Sequence, residues 1–450
     1  MSRERNELEV IPAAKRLITS LRDMGYDFAA AVSDLVDNSI EAGATLVSID
    51  LEFDGDDSWV RIADNGQGMK PGEIREAMRY GSERDYDEDD LGKFGLGMKV
   101  ASLSQCQRLT VASRTSKERA DVSAYCWDLN HVGKTNRWEL LALDREEIGT
   151  TLRGPLLSTT GTVVLWQRLD RLLGYQHPYG EHARKRLLNM CRETEKYLAM
   201  VFHRFLNGEA KGKKKVRIVV NGNDVEPWDP FVTTEKETKK LSPVPIRLEH
   251  DGASGYVLLE PYVLPHQSRF STPEAFRVAG GPNNWNQQQG FYIYRADRMI
   301  QSGGWSRLRT VDEHTKLARV ALRFSPQLDE AFKVNVAKMR VQLPQQIREQ
   351  IEHSLKPVIK MAQEAYRRDG SRNPAPAAAS AQGARAASTV RDEPQGKNYG
   401  SAQSSGTGGR SAESKIFKQV VQELFDAATS EERPIIKRVA ARVAASKEAD

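Results

Sequence analysis

The chain has 450 residues, with 66 Lys+Arg against 61 Asp+Glu and a formal net charge of +5. That length supports two or three domains with their own cores. The near balance of charge excludes a wholly basic or acidic chain, so nucleic-acid contact is permitted but not demanded. Cys106, Cys126 and Cys191 have no metal-type spacing and fit a reducing compartment. No apolar run approaches the roughly 20 residues that span a bilayer, and MSRERNELEV lacks a signal-peptide core. The expectation is a soluble cytoplasmic protein with no membrane partner.

Residues 12–24, PAAKRLITSLRDM, predict a helix with Leu17, Ile18 and Leu21 on one face. A second helix, FAAAVSDLVDNSIEAGA, sets Val32, Leu35, Val36 and Ile40 on its apolar side and places Asp34 and Asn38 four apart on another face. Asn38 offers an oxygen to a hard cation such as Mg²⁺, and Asp34 sits one turn away, where it can orient or deprotonate an attacking water. Alone this is a polar stripe on an amphipathic helix. TLVSIDLEF and WVRIAD form a hairpin around DGDD. WVRIAD ends in Asp64, followed by Gly66 and Gly68, which suits a carboxylate accepting from an exocyclic amine with backbone close by. PGEIREAM starts a helix at Pro71.

The acidic segment GSERDYDEDDLGKF reads either as a surface loop or as a lid. GKFGLGMK then places Gly92, Gly95 and Gly97 ahead of a helical pattern through Met98, Ala101 and Leu103. Exposed N–H groups there favour phosphate, and Lys99 adds a point charge. RLTVASRT, SAYCWDLN, RWELLAL and TVVLWQRL are strands of one antiparallel sheet, giving an α+β sandwich with helices on one face. Residues 180–206 form a long helix leaving the domain, and His177, His182 and His203 near it are surface or packing residues.

A lysine cluster, GEAKGKKK, opens the second domain, as a solvated turn or as a contact to a phosphate backbone. Strands GYVLLEPYVLP and QGFYIYRADRMIQ follow, then a strand, loop and long helix from LDEAFKV onward. Residues 371–411 are Ala/Ser/Gly/Gln/Pro-rich and predict a flexible linker. Ile416, Phe417, Val420, Val421, Leu424 and Phe425 repeat at helical spacing beyond it, and Pro434 starts a further short helix with basic Lys437, Arg438 and Arg442. The expected divisions are 1–206, 207–368, 369–412 and 413–450.

DLVDNSIEAGA, DNGQGM and GKFGLGMK, in this order, resemble the three nucleotide motifs of the GHKL ATPases, a superfamily of gyrase, the ninety-kilodalton heat-shock chaperone, histidine kinases, MutL and MORC proteins. The resemblance implies a Bergerat α/β sandwich binding Mg-ATP under a lid. In it Asn38 holds Mg²⁺ and Asp64 reads the adenine amino group. Gly66, Gly68 and Met69 line the base pocket. Gly92, Phe94, Gly95, Leu96, Gly97, Met98 and Lys99 close on the phosphates, and Thr162 follows Gly161 in the Gly-Thr after the lid. The water-activating position is usually Glu but is Asp34 here, one methylene short, which implies slow turnover or water held through a longer hydrogen bond. The second domain resembles the transducer of these proteins, in which Lys338, or alternatively Lys333, reaches the γ-phosphate. In dimerising members the extreme N-terminus reaches across to the partner, a role open to residues 1–11.

GLGMK and the GFYIYR…RMI…GGW series resemble MORC proteins most, whereas MutL places Arg-Gly-Glu at Phe94–Leu96. The resemblance implies an ATP-gated homodimeric clamp on DNA, with operon-encoded protein partners and a restriction or phage-defence setting by analogy. The alternatives are a chaperone-like remodeller of a protein client and a switch without useful turnover.

Overall fold

The computed structural model describes residues 10–370 except 24–25, 82–96, 117–120, 175–176, 178, 283, 335–337 and 339–340. The expected lid beyond Gly81, the site residues Gly92, Phe94, Gly95 and Leu96, the linker, the tail and residues 1–9 lie outside the described residues.

The first domain is built on α1 (Ala14–Arg22), α2 (Phe28–Glu41), β1 (Leu46–Glu52), β2 (Trp59–Asp64), α3 (Pro71–Met78), α4 (Gly97–Leu103), β3 (Arg108–Arg114), β4 (Ser123–Asp128), α5 (Leu129–Thr135), β5 (Leu141–Leu143), α6 (Thr150–Arg153), β6 (Gly161–Gln167), α7 (Glu181–Val201), α8 (His203–Asn207), β7 (Arg217–Val220) and β8 (Asn223–Asp224). The strands form one eight-stranded sheet ordered β5-β4-β3-β6-β2-β1-β7-β8. Alternation along the strands sends Val47, Ile49, Val60, Ile62, Val164 and Trp166 to one face, where α2, α4 and α7 cover them. The opposite face is partly closed by Ile148, Leu152 and Leu156 over Ala63, Ala112, Val163 and Leu165. Two-sided cover explains why β6 reads as a continuous apolar run rather than an alternating one.

The first sheet runs past residue 206, where the first domain was expected to end. Arg217–Val220, expected in the second domain, pairs in parallel with β1, with Val47 opposite Ile218. Ile218 and Val220 join the first core, so the first sheet ends only at Asp224. The sheet is therefore mixed, not wholly antiparallel.

The second domain contains β9 (Lys239–Lys240), β10 (Val244–His250), β11 (Ala253–Val263), α9 (Pro273–Ala279), α10 (Asn284–Gln287), β12 (Gly290–Arg295), β13 (Arg298–Ser302), β14 (Ala318–Phe324) and α11 (Gln345–Gly370). The sheet order is β10-β11-β14-β12-β13, with β9 also paired to β11. The strand expected at LDEAFKV is instead a 3-10 turn (Pro326–Leu328) and further turns. The strand lies just upstream as β14, paired in parallel with β12. Ile347, Ile351, Leu355, Val358 and Ala362 repeat along α11 and pack its apolar stripe on this sheet.

β12 and β13 are joined by only Ala296 and Asp297, both at positive φ (45° and 63°), as a tight hairpin requires. Asp297 is held by Arg204 of the first domain, with Nη1 2.7 Å from Oδ1, and by the Lys211 N–H at 3.0 Å. This hairpin tip is the joint that brings the second domain to α2.

Candidate functional site

The site begins with an anomaly in α2. Asp27 caps the helix by accepting the Ala30 N–H at 2.8 Å. About two and three turns later the helix buries two carboxylates, Asp34 at 2% exposure and Asp37 at 0%. Buried charges are tolerated only when paired and hydrogen-bonded, so their partners define the site.

Both partners come from the second domain. Arg298, the first residue of β13, places Nε 2.9 Å from Asp37 Oδ1 and donates through Nη2 to Ser33 Oγ at 3.0 Å. Its Nη1 donates to the Lys338 carbonyl at 3.1 Å, holding a residue at φ 48°. Lys338 Nζ then lies 2.8 Å from Asp37 Oδ2 and 3.5 Å from Asp34 Oδ1. Asp34 Oδ2 accepts from the Tyr26 hydroxyl at 2.9 Å, while Oδ1 is buried without a hydrogen-bond partner. Burial pushes the Asp34 carboxyl up, opposed by the Lys338 charge. Lys333, the competing lysine, is exposed.

Asp64 lies at the end of β2, between β1 and β6. Its Oδ1 accepts the Gly66 N–H at 2.8 Å and the Thr162 N–H at 3.2 Å, and Oδ2 accepts from Ser39 Oγ at 3.1 Å. Ser39 adjoins Asn38, so α2 supplies the cation candidate and a clamp on the base-reading candidate within two residues. Desolvation outweighs these hydrogen bonds and pushes the Asp64 carboxyl up to about 6. The turn beyond it depends on glycine at two positions. Gly68 has φ 73°, and an added Cβ would sit 2.1 Å from the Arg114 carbonyl oxygen; at Gly161, with φ 141°, it would sit 1.9 Å from the Asp64 carbonyl oxygen. The Met69 N–H donates to Ser113 Oγ at 2.8 Å, and that hydroxyl lies 3.0 Å from Thr162 Oγ1, joining the turn to β3 and β6.

Asn38 is exposed. Gly97 begins α4 against Asp34: a Cβ there would be 3.3 Å from Oδ2. Met98 is half-buried against the first core. Lys99 is buried, and its Nζ donates to the Ala77 and Arg79 carbonyls at 2.9 and 2.6 Å, at the end of α3. Burial pushes that ammonium down to about 8. A phosphate contact by Lys99 therefore requires it to leave these carbonyls. His203 is a packing residue, with Nε2 2.9 Å from the Tyr294 hydroxyl.

Sequence reasoning missed Tyr26, Asp37, Ser39, Ser113 and Arg298. Asp37 was visible in DLVDN, three residues past Asp34, and both were destined for burial. Nothing local marks Arg298, whose role arises from the hairpin.

The residues fit an adenine nucleotide with Mg²⁺. Asp34 keeps an unbonded buried oxygen, Asp64 Oδ2 has acceptor capacity left beside one hydroxyl, and Asn38 presents an unburied amide.

Arg298→Met should lower stability by about 3–5 kcal/mol, because Asp37 loses half of its buried compensation. Lys333→Ala should change stability by less than about 0.5 kcal/mol. Chemical denaturation of the two variants checks both. Asp64 gives a pH signature. The native carboxyl keeps its proton up to about pH 6, whereas the unfolded one releases it near 3.8, so the charged form is unfavourable in the fold above pH 6. Asp64→Asn should raise the melting temperature relative to wild type at about pH 8, and that gain should vanish as pH falls through 6 towards 4.

Residues 26–157 match the family model described as histidine kinase-, DNA gyrase B- and HSP90-like ATPase. The chain is 40% identical over 102 residues to the DNA mismatch repair protein MutL of Enterobacter sp. (strain 638), and 39% identical over the same length to MutL of Klebsiella pneumoniae (strain 342) and of Escherichia coli (strain K12 / DH10B). Each match covers 22% of this chain and 16% of the relative, so only about a sixth of those proteins' length is shared. Nothing in these matches singles out a MORC-like subtype. No described helix is long and apolar enough to cross a membrane. The motifs, the sandwich that carries them and these matches together identify a GHKL-type ATPase domain over residues 26–157.

Proposed function

We propose that this chain is a slow Mg-ATPase whose second domain reads the nucleotide state, acting as an ATP-gated dimeric clamp on DNA. The observation that carries the reading is Lys338: a lysine of the second domain is buried between two carboxylates of the helix that bears the catalytic candidates. A cation held this way by charge is free to exchange a carboxylate for a phosphate oxygen when one arrives.

In this reading Asp64 accepts from the adenine amino group, with its other oxygen fixed by the Gly66 and Thr162 N–H groups. Asn38 contributes an amide oxygen to Mg²⁺. The ion, when bound, neutralises phosphate charge. Asp34 orients water and takes its proton. It holds a carboxylate beside Lys338, and as that lysine turns to phosphate the raised affinity of Asp34 for a proton suits a general base. Lys338 and Arg298 carry the change into the β12–β13 hairpin and so into the second domain. DNA as the ligand is supported by similarity to the DNA mismatch repair protein MutL; the clamp, the MORC-like subtype, the operon partners and the defence setting rest on resemblance.

A second reading, a nucleotide-dependent switch without useful turnover, is favoured by one feature: the Asp34 side chain is short and is anchored by Tyr26.

Steady-state ATP hydrolysis, with and without duplex DNA, separates the two. The clamp predicts turnover that rises with DNA and falls at least about 100-fold in Asp34→Asn, with ATP affinity within about threefold of wild type. Wild-type turnover equal to that of Asp34→Asn, with ATP still bound, establishes the switch instead.

A further inference from the structure

A cavity of about 1400 Å³ is lined in part by Tyr26, whose hydroxyl donates to Asp34. It lies among the end of α1, the segment entering α2, the turn after α4 and the first three turns of α7. Six basic side chains line it, Arg22, Arg171, His177, His182, Lys185 and Arg186, against two acids, Asp27 and Glu193. One of those acids, Asp27, is engaged in capping α2.

The cations differ in what they have to give. Arg22 is braced by Asp170 and by the Leu103 and Cys106 carbonyls, and Arg171 by Asp23 and the Arg22 carbonyl. The side chains of His182 and Lys185 make no hydrogen bond or ion pair among the described residues and stand exposed on α7. The outer face of α7 continues the charge with Arg184, Arg192 and Lys196, all exposed. A groove lined by braced arginines and by an exposed lysine and histidine on α7 suits a run of phosphates better than a single anion.

The floor of the cavity leads to the catalytic candidate. Gln105 lines it and donates to the Tyr26 carbonyl at 3.0 Å, and the Tyr26 hydroxyl donates to Asp34 at 2.9 Å. Any ligand that shifts Tyr26 alters the hydrogen bond that its hydroxyl gives to Asp34 Oδ2.

We propose that this groove binds the DNA phosphodiester backbone and that Tyr26 reports its occupancy to Asp34. The proposal rests on the reading of the chain as a DNA-associated ATPase and adds where the DNA lies and how it reaches the chemistry. Tyr26 is a positioning residue in this scheme.

The test is fluorescence anisotropy of a labelled duplex with the full chain at low and moderate salt. The variants are Lys185→Glu with Arg186→Glu, and, as a control on the other basic cluster, Lys214→Glu with Lys215→Glu. The groove predicts roughly a tenfold or greater loss of affinity and a salt slope shallower by about two for the first pair. It predicts less than about a twofold change for the control, and unchanged binding of a fluorescent ATP analogue by both. Wild-type binding that survives the first pair intact overturns the site. If that pair instead alters the sedimentation of the ATP-bound chain, the groove is an interface between copies, which also overturns it. No wild-type binding even at low salt sinks the DNA reading itself and the site with it, an outcome distinct from the other two. Tyr26→Phe tests the coupling: DNA affinity should stay within twofold while the ratio of DNA-stimulated to basal turnover falls to one. A ratio that stays at the wild-type value removes Tyr26 from the scheme.

Discussion

Four charges are buried where the two domains meet: Asp34 and Asp37 from α2, Arg298 and Lys338 from the second domain. None of them is stable there alone, because an unpaired ion in the interior costs several kcal/mol or more. Together they are neutral, and the geometry is tight for Asp37 and loose for Asp34. Asp37 takes the short contacts to both cations, whereas Asp34 stands at 3.5 and 4.0 Å from them. That asymmetry divides the labour. Asp37 docks the second domain, and Asp34 keeps an oxygen without a hydrogen bond. The β12–β13 hairpin exists in its strained form to deliver Arg298 to this point, and Arg204 with Asp297 braces it from the other side.

The carboxylates of the site carry different chemistry because their surroundings differ. Asp64 is held by two backbone N–H groups and a serine hydroxyl, with no cation bonded to it among the described residues, and in the proposed mechanism it accepts hydrogen bonds. Asp34 faces a lysine and a tyrosine, and in the proposed mechanism it exchanges a proton. Both carboxyls are pushed up by burial, but among the described residues Asp34 alone of the two has a counter-charge within reach, the Lys338 ammonium. Pairs of acids with distinct surroundings are the common way in which one fold separates binding from proton transfer.

Much of the first domain was legible because its signals are local. The hairpin around DGDD, the Pro71 helix start, the amphipathic α2 and the Asp64 turn each follow from residues within a few positions of one another. The reach of Lys338 to Asp34, by contrast, joins residues about three hundred apart, and it was legible only through resemblance to a transducer. What stayed hidden was long-range pairing. Arg217–Val220 follows a lysine cluster that looks like a new beginning, but parallel pairing to β1 makes it the end of the first sheet. β14 sits at the centre of the second sheet and went unread, whereas the LDEAFKV run beside it was taken for a strand although it turns. Arg298 and Asp37 were overlooked because a lone arginine after a turn and one more acid in a polar stripe are ordinary until the fold buries them against each other. Lys99, expected at phosphate from its place after a glycine cluster, donates here to the Ala77 and Arg79 carbonyls at the end of α3, a long-range contact that the sequence does not mark.

In the proposed mechanism Lys338 senses the γ-phosphate. The most direct test is the affinity of wild type and Lys338→Gln for a non-hydrolysable ATP analogue and for ADP. The account predicts that wild type prefers the triphosphate and that Lys338→Gln binds the two alike, with ADP affinity little changed. An undiminished preference for the triphosphate in Lys338→Gln would contradict it and would leave Lys338 as a structural partner of Asp37 alone.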